Sequence, residues 1–261
     1  MTGFSADWLD LREAADAAAR DRRLLDDAAA LVDGKPDPLV VDLGAGTGAT
    51  FRALRPKLRN PASWLLVDAD LDLLQEAERR ADGIPHVEVL RFDLAAPAPL
   101  PLTDATLVTA SAFFDLVGGP FLERLIATAA ANRAALYAAL TYDGTTSYSV
   151  AHDLDAAVLA AFNRHQRGDK GFGPALGPTA PQALAEALSR AGYRVQAAAS
   201  PWRLGPDDAA LVRPLLTGMA DAVRQTGDVD AAALDDWLAF RLDKAGDSRM
   251  TVGHVDVLAR L

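Results

Sequence analysis

Cysteine is missing from this 261-residue chain. That absence excludes disulfides, thiolate metal sites, iron–sulfur clusters and a cysteine nucleophile. Histidine is scarce, at four residues, and neither the histidines nor the acidic residues show spacing typical of a metal site. Lysine is represented only by Lys35, Lys57, Lys170 and Lys244, so arginine supplies most of the positive charge. No apolar run approaches the roughly 18 residues that a membrane-spanning helix needs. The most apolar stretch, Ala127 to Leu140, is broken by Asn132 and Arg133. The start, Met1 to Trp8, lacks a basic region followed by an apolar stretch, so the expectation is a soluble cytoplasmic protein. A net charge of −10 argues against a nucleic-acid surface, although a small local basic pocket is compatible with it.

What is present is an ordinary folding composition, 50% hydrophobic and 24% charged, which rules out a disordered or fibrous chain. Residues 5–33 read as helix, with Trp8, Leu11, Ala15 and Ala18 on one face and Leu24, Ala28, Leu31 and Val32 on a second. Gly34, Pro36 and Pro38 stop it. Leu39–Leu43 is a short apolar run opening into glycines, the pattern of a strand buried on both faces. Strands near 63–67, 87–92, 105–109 and 134–140 then alternate with helices near 49–58, 71–81 and 120–131. Such alternation predicts a parallel sheet with helices on both faces. Further along come helices near 154–167 and 181–191, a strand at 193–198, helices near 207–225 and 230–244, and a last strand at 250–258. Pro214 is expected to kink the first of that helix pair. The terminal strand is placed to pair antiparallel with 193–198.

The strongest signal is Asp42-Leu-Gly44-Ala45-Gly46-Thr-Gly48. A glycine turn after a buried strand lets a ligand approach the backbone closely. Gly44-x-Gly46-x-x-Ala49 also fits a dinucleotide fingerprint, with Asp68 about 20 residues on. A plain strand-to-helix turn is the third reading. Three features favour a cationic nucleoside ligand over a dinucleotide: Asp42 two residues before the first glycine, the long helical segment ahead of the first strand, and the terminal strand.

These motifs resemble those of the class I S-adenosylmethionine-dependent methyltransferases over roughly residues 38–140. The resemblance implies a Rossmann-like, doubly wound, seven-stranded sheet, mostly parallel with an antiparallel C-terminal strand, and inserted helices forming a lid. It implies that Asp42, Gly44, Ala45, Gly46 and Gly48 hold the methionine part of the cofactor, and that Asp68, with Ala69, holds the ribose. Asp93, with Leu94, meets the adenine, and Ser111 forms the wall between cofactor and substrate. The pattern departs from the family at Ala105-Thr106, where Phe-Asp is common. No Asn-Pro-Pro-Tyr-type tetrapeptide follows the fourth strand, so adenine or glutamine methylation loses support.

Phe113, Phe114 and Asp115 follow the fourth strand, where acceptors sit in this fold. The two rings wall the pocket or belong to the core, and Asp115 orients or deprotonates an acceptor or is a solvated loop acid. His152 is the preferred general base, from its place past the fifth strand. His165 is a further base candidate that reads as a core histidine before a catalyst; its expected site role is a substrate contact, and that of Tyr142 pocket lining. Asp70 reads as a helix cap, His254 as structural, and Arg12 and Arg20 as a solvated helix face, with bidentate capture of a carboxylate as their other reading. The glycine-rich stretch from Gly168 to Gly173 is either a lid carrying Lys170 or a plain connection. One domain is expected, with a helical segment 1–36, a cofactor core 37–140 and substrate-cap insertions 141–178 and 205–248. The expected activity is methyl transfer to oxygen, nitrogen or carbon of a small molecule, with no metal, nucleic-acid or membrane partner. A nucleoside-binding protein without turnover and an NAD-dependent oxidoreductase are the alternatives.

Overall fold

The structure, a computed structural model, describes residues 5–261. The first four residues of the expected 1–36 segment lie outside the described residues. The central sheet has eight strands: β1 Leu39–Leu43, β2 Ser63–Asp68, β3 Val87–Arg91, β4 Leu107–Ser111, β5 Ala135–Tyr148, β6 Arg194–Ala199, β7 Trp202–Leu204 and β8 Met250–Arg260. Their order is β3-β2-β1-β4-β5-β8-β6, with β7 added on β8. The first five are parallel, and β8 lies antiparallel to β5, β6 and β7. Seven strands were expected. The eighth, β7, is a three-residue strand whose Trp202 and Leu204 are buried, too short for a hydrophobic period to reveal.

Strand alternation divides the core in two. On one face Val41, Leu43, Val108, Leu136 and Val257 meet α5 (Gly119–Ala131) and α7 (Ala180–Arg190). On the other, Val40, Trp64, Leu66, Tyr137 and Leu258 meet α2 (Arg22–Asp33), α3 (Ala49–Leu54) and α4 (Leu71–Arg80). The expected single helix over 5–33 is therefore two. The first, α1 (Ala6–Ala19), ends at Arg20, and Asp21 starts α2 by accepting from the Leu24 N–H at 2.9 Å. The break sends α2 onto the sheet and leaves only α1 for the cap.

A third core lies above the sheet. Here α6 (Asp155–Gln166), α8 (Ala209–Thr226) and α9 (Ala231–Lys244) bury Val158, Leu211, Leu216, Met219, Leu234 and Trp237, with Trp8, Leu11 and Ala15 of α1 against them. α8 runs on through Pro214. The fifth strand was expected to end at Leu140. It continues to Tyr148 because β8 supplies partners as far as Met250, across two register irregularities. The sheet thus projects a ribbon into the cap. Among the described residues, no helix is long and apolar enough to cross a membrane.

Candidate active site

The glycine loop leaves β1 at the edge where the parallel strands end, the usual ligand edge of such sheets. Gly44, Gly46 and Gly48 have φ of 63°, 53° and 85°, conformations that cost other residues strain. A Cβ on Gly44 would lie 2.9 Å from the Phe113 ring, and one on Gly46 would lie 2.9 Å from the Leu9 methyl of α1. The loop is thus a bare backbone cradle with a side chain resting on each glycine. Asp68, at the end of β2, accepts from Gly46 N–H at 2.8 Å and from Asp70 N–H at 3.0 Å. A carboxylate has about four acceptor positions, so two stay available. Asp70 caps α4 through the N–H groups of Asp72 and Leu73. Asp93 is exposed and accepts from Ala95 N–H at 2.9 Å, whereas Leu94 is buried in the core.

Beneath the loop, the expected Asp42 and Ser111 belong to a polar cluster that also takes in Arg20, Thr50 and Thr109. Asp42 is 1% exposed. Its Oδ1 accepts from Thr109 Oγ1 at 2.7 Å, and its Oδ2 is buried without a partner. Burial raises this carboxyl to about 7, against the pull of the Thr109 hydrogen bond and the Arg20 charge. Arg20, expected on a solvated face, is 4% exposed. Its Nη2 donates to Ser111 Oγ at 3.1 Å and to Thr50 Oγ1 at 3.4 Å, while Nη1 is buried and unpartnered. The signal that would have found it is Asp21, a helix-capping residue followed by Leu24 and Leu25: a break there turns Arg20 inward.

A second group surrounds Asp115. Its Oδ1 is buried without a partner, and burial raises the carboxyl to about 6, opposed by the charges of Arg12 and Lys170. Arg12 is held by Asp16 through two hydrogen bonds, at 2.9 and 3.1 Å, and lies 4.9 Å over the Trp202 ring, whose Nε1 donates to Asp16 at 2.9 Å. His254 sits between Trp202 and Tyr142, at ring separations of 5.1 and 6.2 Å. Burial, with the Arg12 charge, pushes it down to about 3, so it is a neutral imidazole. Tyr142 donates to Asn163 at 2.9 Å, and burial raises its phenol. Phe114 is fully buried, whereas Phe113 joins Phe121 and Phe172 edge-to-face, both at 5.7 Å. Phe172 thereby pins the glycine-rich stretch, and Asp169 holds it by accepting from Gly171 and Gly173 N–H.

Two expected site residues are placed elsewhere. His152 Nδ1 accepts from Leu154 N–H at 3.2 Å, and its ring packs 4.9 Å from Phe240, while Asp155 beside it pairs with Arg241. The local turn claims the nitrogen that a general base would use, and no hydrogen bond joins it to Asp115 among the described residues. His165 is half-buried, not core. It meets Gln225 at 3.2 Å and Lys170 at 3.4 Å.

α1 is held down on the loop by charge as well as by Leu9. Arg52 of α3 pairs with Glu13 at 2.6 Å and also donates to the Thr47 carbonyl, while Arg80 of α4 pairs with Asp10 at 2.6 Å and with Glu76 at 2.5 Å. Among the described residues there is no group of acidic, cysteine or histidine side chains suited to a metal ion.

No family model matches this chain, and no curated protein sequence does. Solved structures do. The YcgJ protein of Bacillus subtilis superposes with a TM-score of 0.52 at 15% identity, over 92% of this chain and 98% of that one. A SAM-dependent methyltransferase from Thiobacillus denitrificans, solved with S-adenosyl-L-homocysteine, gives 0.52 at 15% identity over the whole of both chains. A mycolic acid cyclopropane synthase, solved with SAH and CTAB, gives 0.53 at 11% identity over 91% of this chain and 82% of that one. The fold is that of the class I S-adenosylmethionine-dependent methyltransferases.

Proposed function

We propose that the chain binds S-adenosylmethionine on the glycine loop and transfers its methyl group to an oxygen, nitrogen or carbon of a small molecule. The carrying observation is the pair of unpartnered buried atoms under the loop: Asp42 Oδ2, an acceptor, and Arg20 Nη1, a donor. An amino-acid zwitterion presents the complementary ammonium and carboxylate, and a loop without Cβ atoms lets it approach. Asp68 has the spare acceptor capacity for ribose hydroxyls, and Asp93, with Leu94 and Ala69, lies along the same strand ends, where an adenine would extend. When bound, this cofactor supplies an electrophilic methyl group.

What the protein contributes is position and a dry environment. Ser111, tied to Arg20, and Phe113, resting on Gly44, divide the loop from the acceptor side. Asp115 is the residue suited to take a proton from an acceptor. It is ionised at neutral pH, it has a free oxygen, and its pKa near 6 puts it close to the operating range of a general base. Tyr142 and the neutral His254 supply a polar, uncharged wall. The cap of α1, α6, α8 and α9 favours a small acceptor over a macromolecule.

Calorimetry with S-adenosylhomocysteine and with NAD tests the reading directly. Binding of the first and not the second supports it; the reverse result makes the chain a dinucleotide protein. Turnover of methyl-labelled cofactor with a metabolite extract then separates an enzyme from a nucleoside-binding protein.

A further inference from the structure

A cleft of about 570 Å³ opens at the opposite edge of the sheet, where the parallel strands begin. Lys35, Arg133, Arg194 and Arg260 line it, with Leu31 and Ala135 as apolar wall. None of these four cations is in an ion pair among the described residues, and no aspartate or glutamate side chain belongs to the lining. The side chains of the lining are net positive. That is unexpected in a chain of net charge −10, whose arginines elsewhere pair repeatedly with carboxylates.

Two of the four have an ordinary explanation. Lys35 and Arg133 each follow the C-terminus of a helix, α2 and α5, where a positive charge offsets the helix dipole. Arg194 and Arg260 do not. They are direct cross-strand partners between β6 and β8, and like charges opposite one another destabilise a sheet. Among the described residues no side chain forms an ion pair that neutralises either arginine. An anion between the two guanidinium groups would.

We propose that this cleft binds a small, multiply charged phosphate compound, with the phosphate on Arg194 and Arg260. Two guanidinium forks match phosphate oxygens bidentately. Four cations around one cavity suit a charge of −2 or more; a single carboxylate would leave most of them unanswered. The volume lies in the range of small-molecule sites. A neighbouring cleft of about 200 Å³ continues past Leu31 and Arg260 to Asp27 and Gln196. That end is no place for phosphate, but it suits the hydroxyl or amine donors of an organic portion. The four cations are exposed, so binding is salt-sensitive. The site stands at the far edge from the glycine loop and does not rest on the methyltransferase reading.

The probes are pyrophosphate and ADP, titrated calorimetrically into the full chain at low and at physiological salt. Saturable one-to-one binding of pyrophosphate, weakened at least tenfold in the double variant Arg194→Ser, Arg260→Ser, is expected. Pyrophosphate should also raise the melting temperature of the wild type and not that of the variant. The variant without ligand should melt no lower than wild type, because a repulsion has been removed. Should the double variant misfold, Arg133→Ser, outside the strands, carries the same expectation of weaker pyrophosphate binding. Three results would overturn the proposal: no binding at millimolar pyrophosphate, equal binding by wild type and variants, or co-sedimentation with phosphatidylserine vesicles that pyrophosphate does not compete away.

Discussion

The two edges of one sheet treat charge in opposite ways. Where the parallel strands end, charged groups are buried among partners: Arg12 pairs with Asp16 and Arg241 with Asp155 within the cap, and Asp42 has the Thr109 hydroxyl and the Arg20 charge but keeps one bare oxygen. Where the strands begin, four cations stand in the open without carboxylate partners. The difference follows from where the chain spends its length. The segment before β1 and the long connections after β5 and β7, which carry α1, α6, α8 and α9, lie over the first edge and exclude water. At the second edge helices return to strands by short turns that cover nothing. A fixed charge acts strongly in a dry enclosure and weakly in salt water. The covered edge therefore suits chemistry, and the bare edge suits reversible capture of an anion.

The harshest way to break this contrast is Gly46→Val. The new side chain meets Leu9 and demands a φ of 53° from a β-branched residue. S-adenosylhomocysteine binding should become undetectable by calorimetry while the circular dichroism spectrum is retained. Normal binding would reduce the glycine loop to a turn.

Next in size is Asp115→Asn. Loss of a general base typically costs 10²–10⁴-fold, so turnover should fall by about two orders of magnitude or more, with S-adenosylhomocysteine affinity unchanged. In wild type, turnover should rise with pH through about 6 as Asp115 ionises, and that limb should vanish in the variant. His152→Ala, by contrast, should alter melting more than turnover, since its ring serves the turn before α6.

Asp68→Ala should weaken S-adenosylhomocysteine binding about tenfold or more. The loss is roughly 1.5–3 kcal/mol, for charge-assisted hydrogen bonds. Asp42 sharpens the comparison through pH. A carboxyl raised to about 7 must lose its proton to hold an ammonium group. Affinity should therefore climb as pH rises from about 6 and level off above about 7, a limb of at most tenfold per pH unit. Asp42→Asn should flatten it.

The smallest effect belongs to the charges holding α1. Partly exposed pairs are worth about 0.2–1 kcal/mol each. Glu13→Gln with Asp10→Asn should speed nucleoside association by a few-fold in stopped flow, as should raised salt acting on the wild type. Unchanged association rates would mean that Leu9 alone governs access.

The half of the fold that repeats locally was legible in the sequence. β1 and its glycines, Asp68 at the end of β2 and the alternating helices are contiguous signals, and the structure places them as expected. Legibility failed where a residue's environment is set by a distant strand. Arg20 reads as surface until the α1–α2 break turns it beneath Thr50 and Ser111. The extension of β5 through Tyr148 exists because β8, a hundred residues on, offers partners. His152 looked available because its competitor is a backbone N–H two residues away, which residue type does not announce.

β8 also has a consequence for how the molecule comes into being. It lies inside the sheet, between β5 and β6, yet it is the last strand to leave the ribosome. Its Asp256 accepts from Asp21 N–H, Leu140 N–H and the Tyr137 hydroxyl, so the junction that aims Arg20 waits for a residue 235 positions later. Contacts of such sequence separation are slow to form. The nascent chain must hold β5 and β6 apart with exposed edges until β8 inserts, and during that interval it is open to aggregation and chaperone capture. The Arg20 junction at one edge and the Arg194–Arg260 pair at the other are complete only at that closing step.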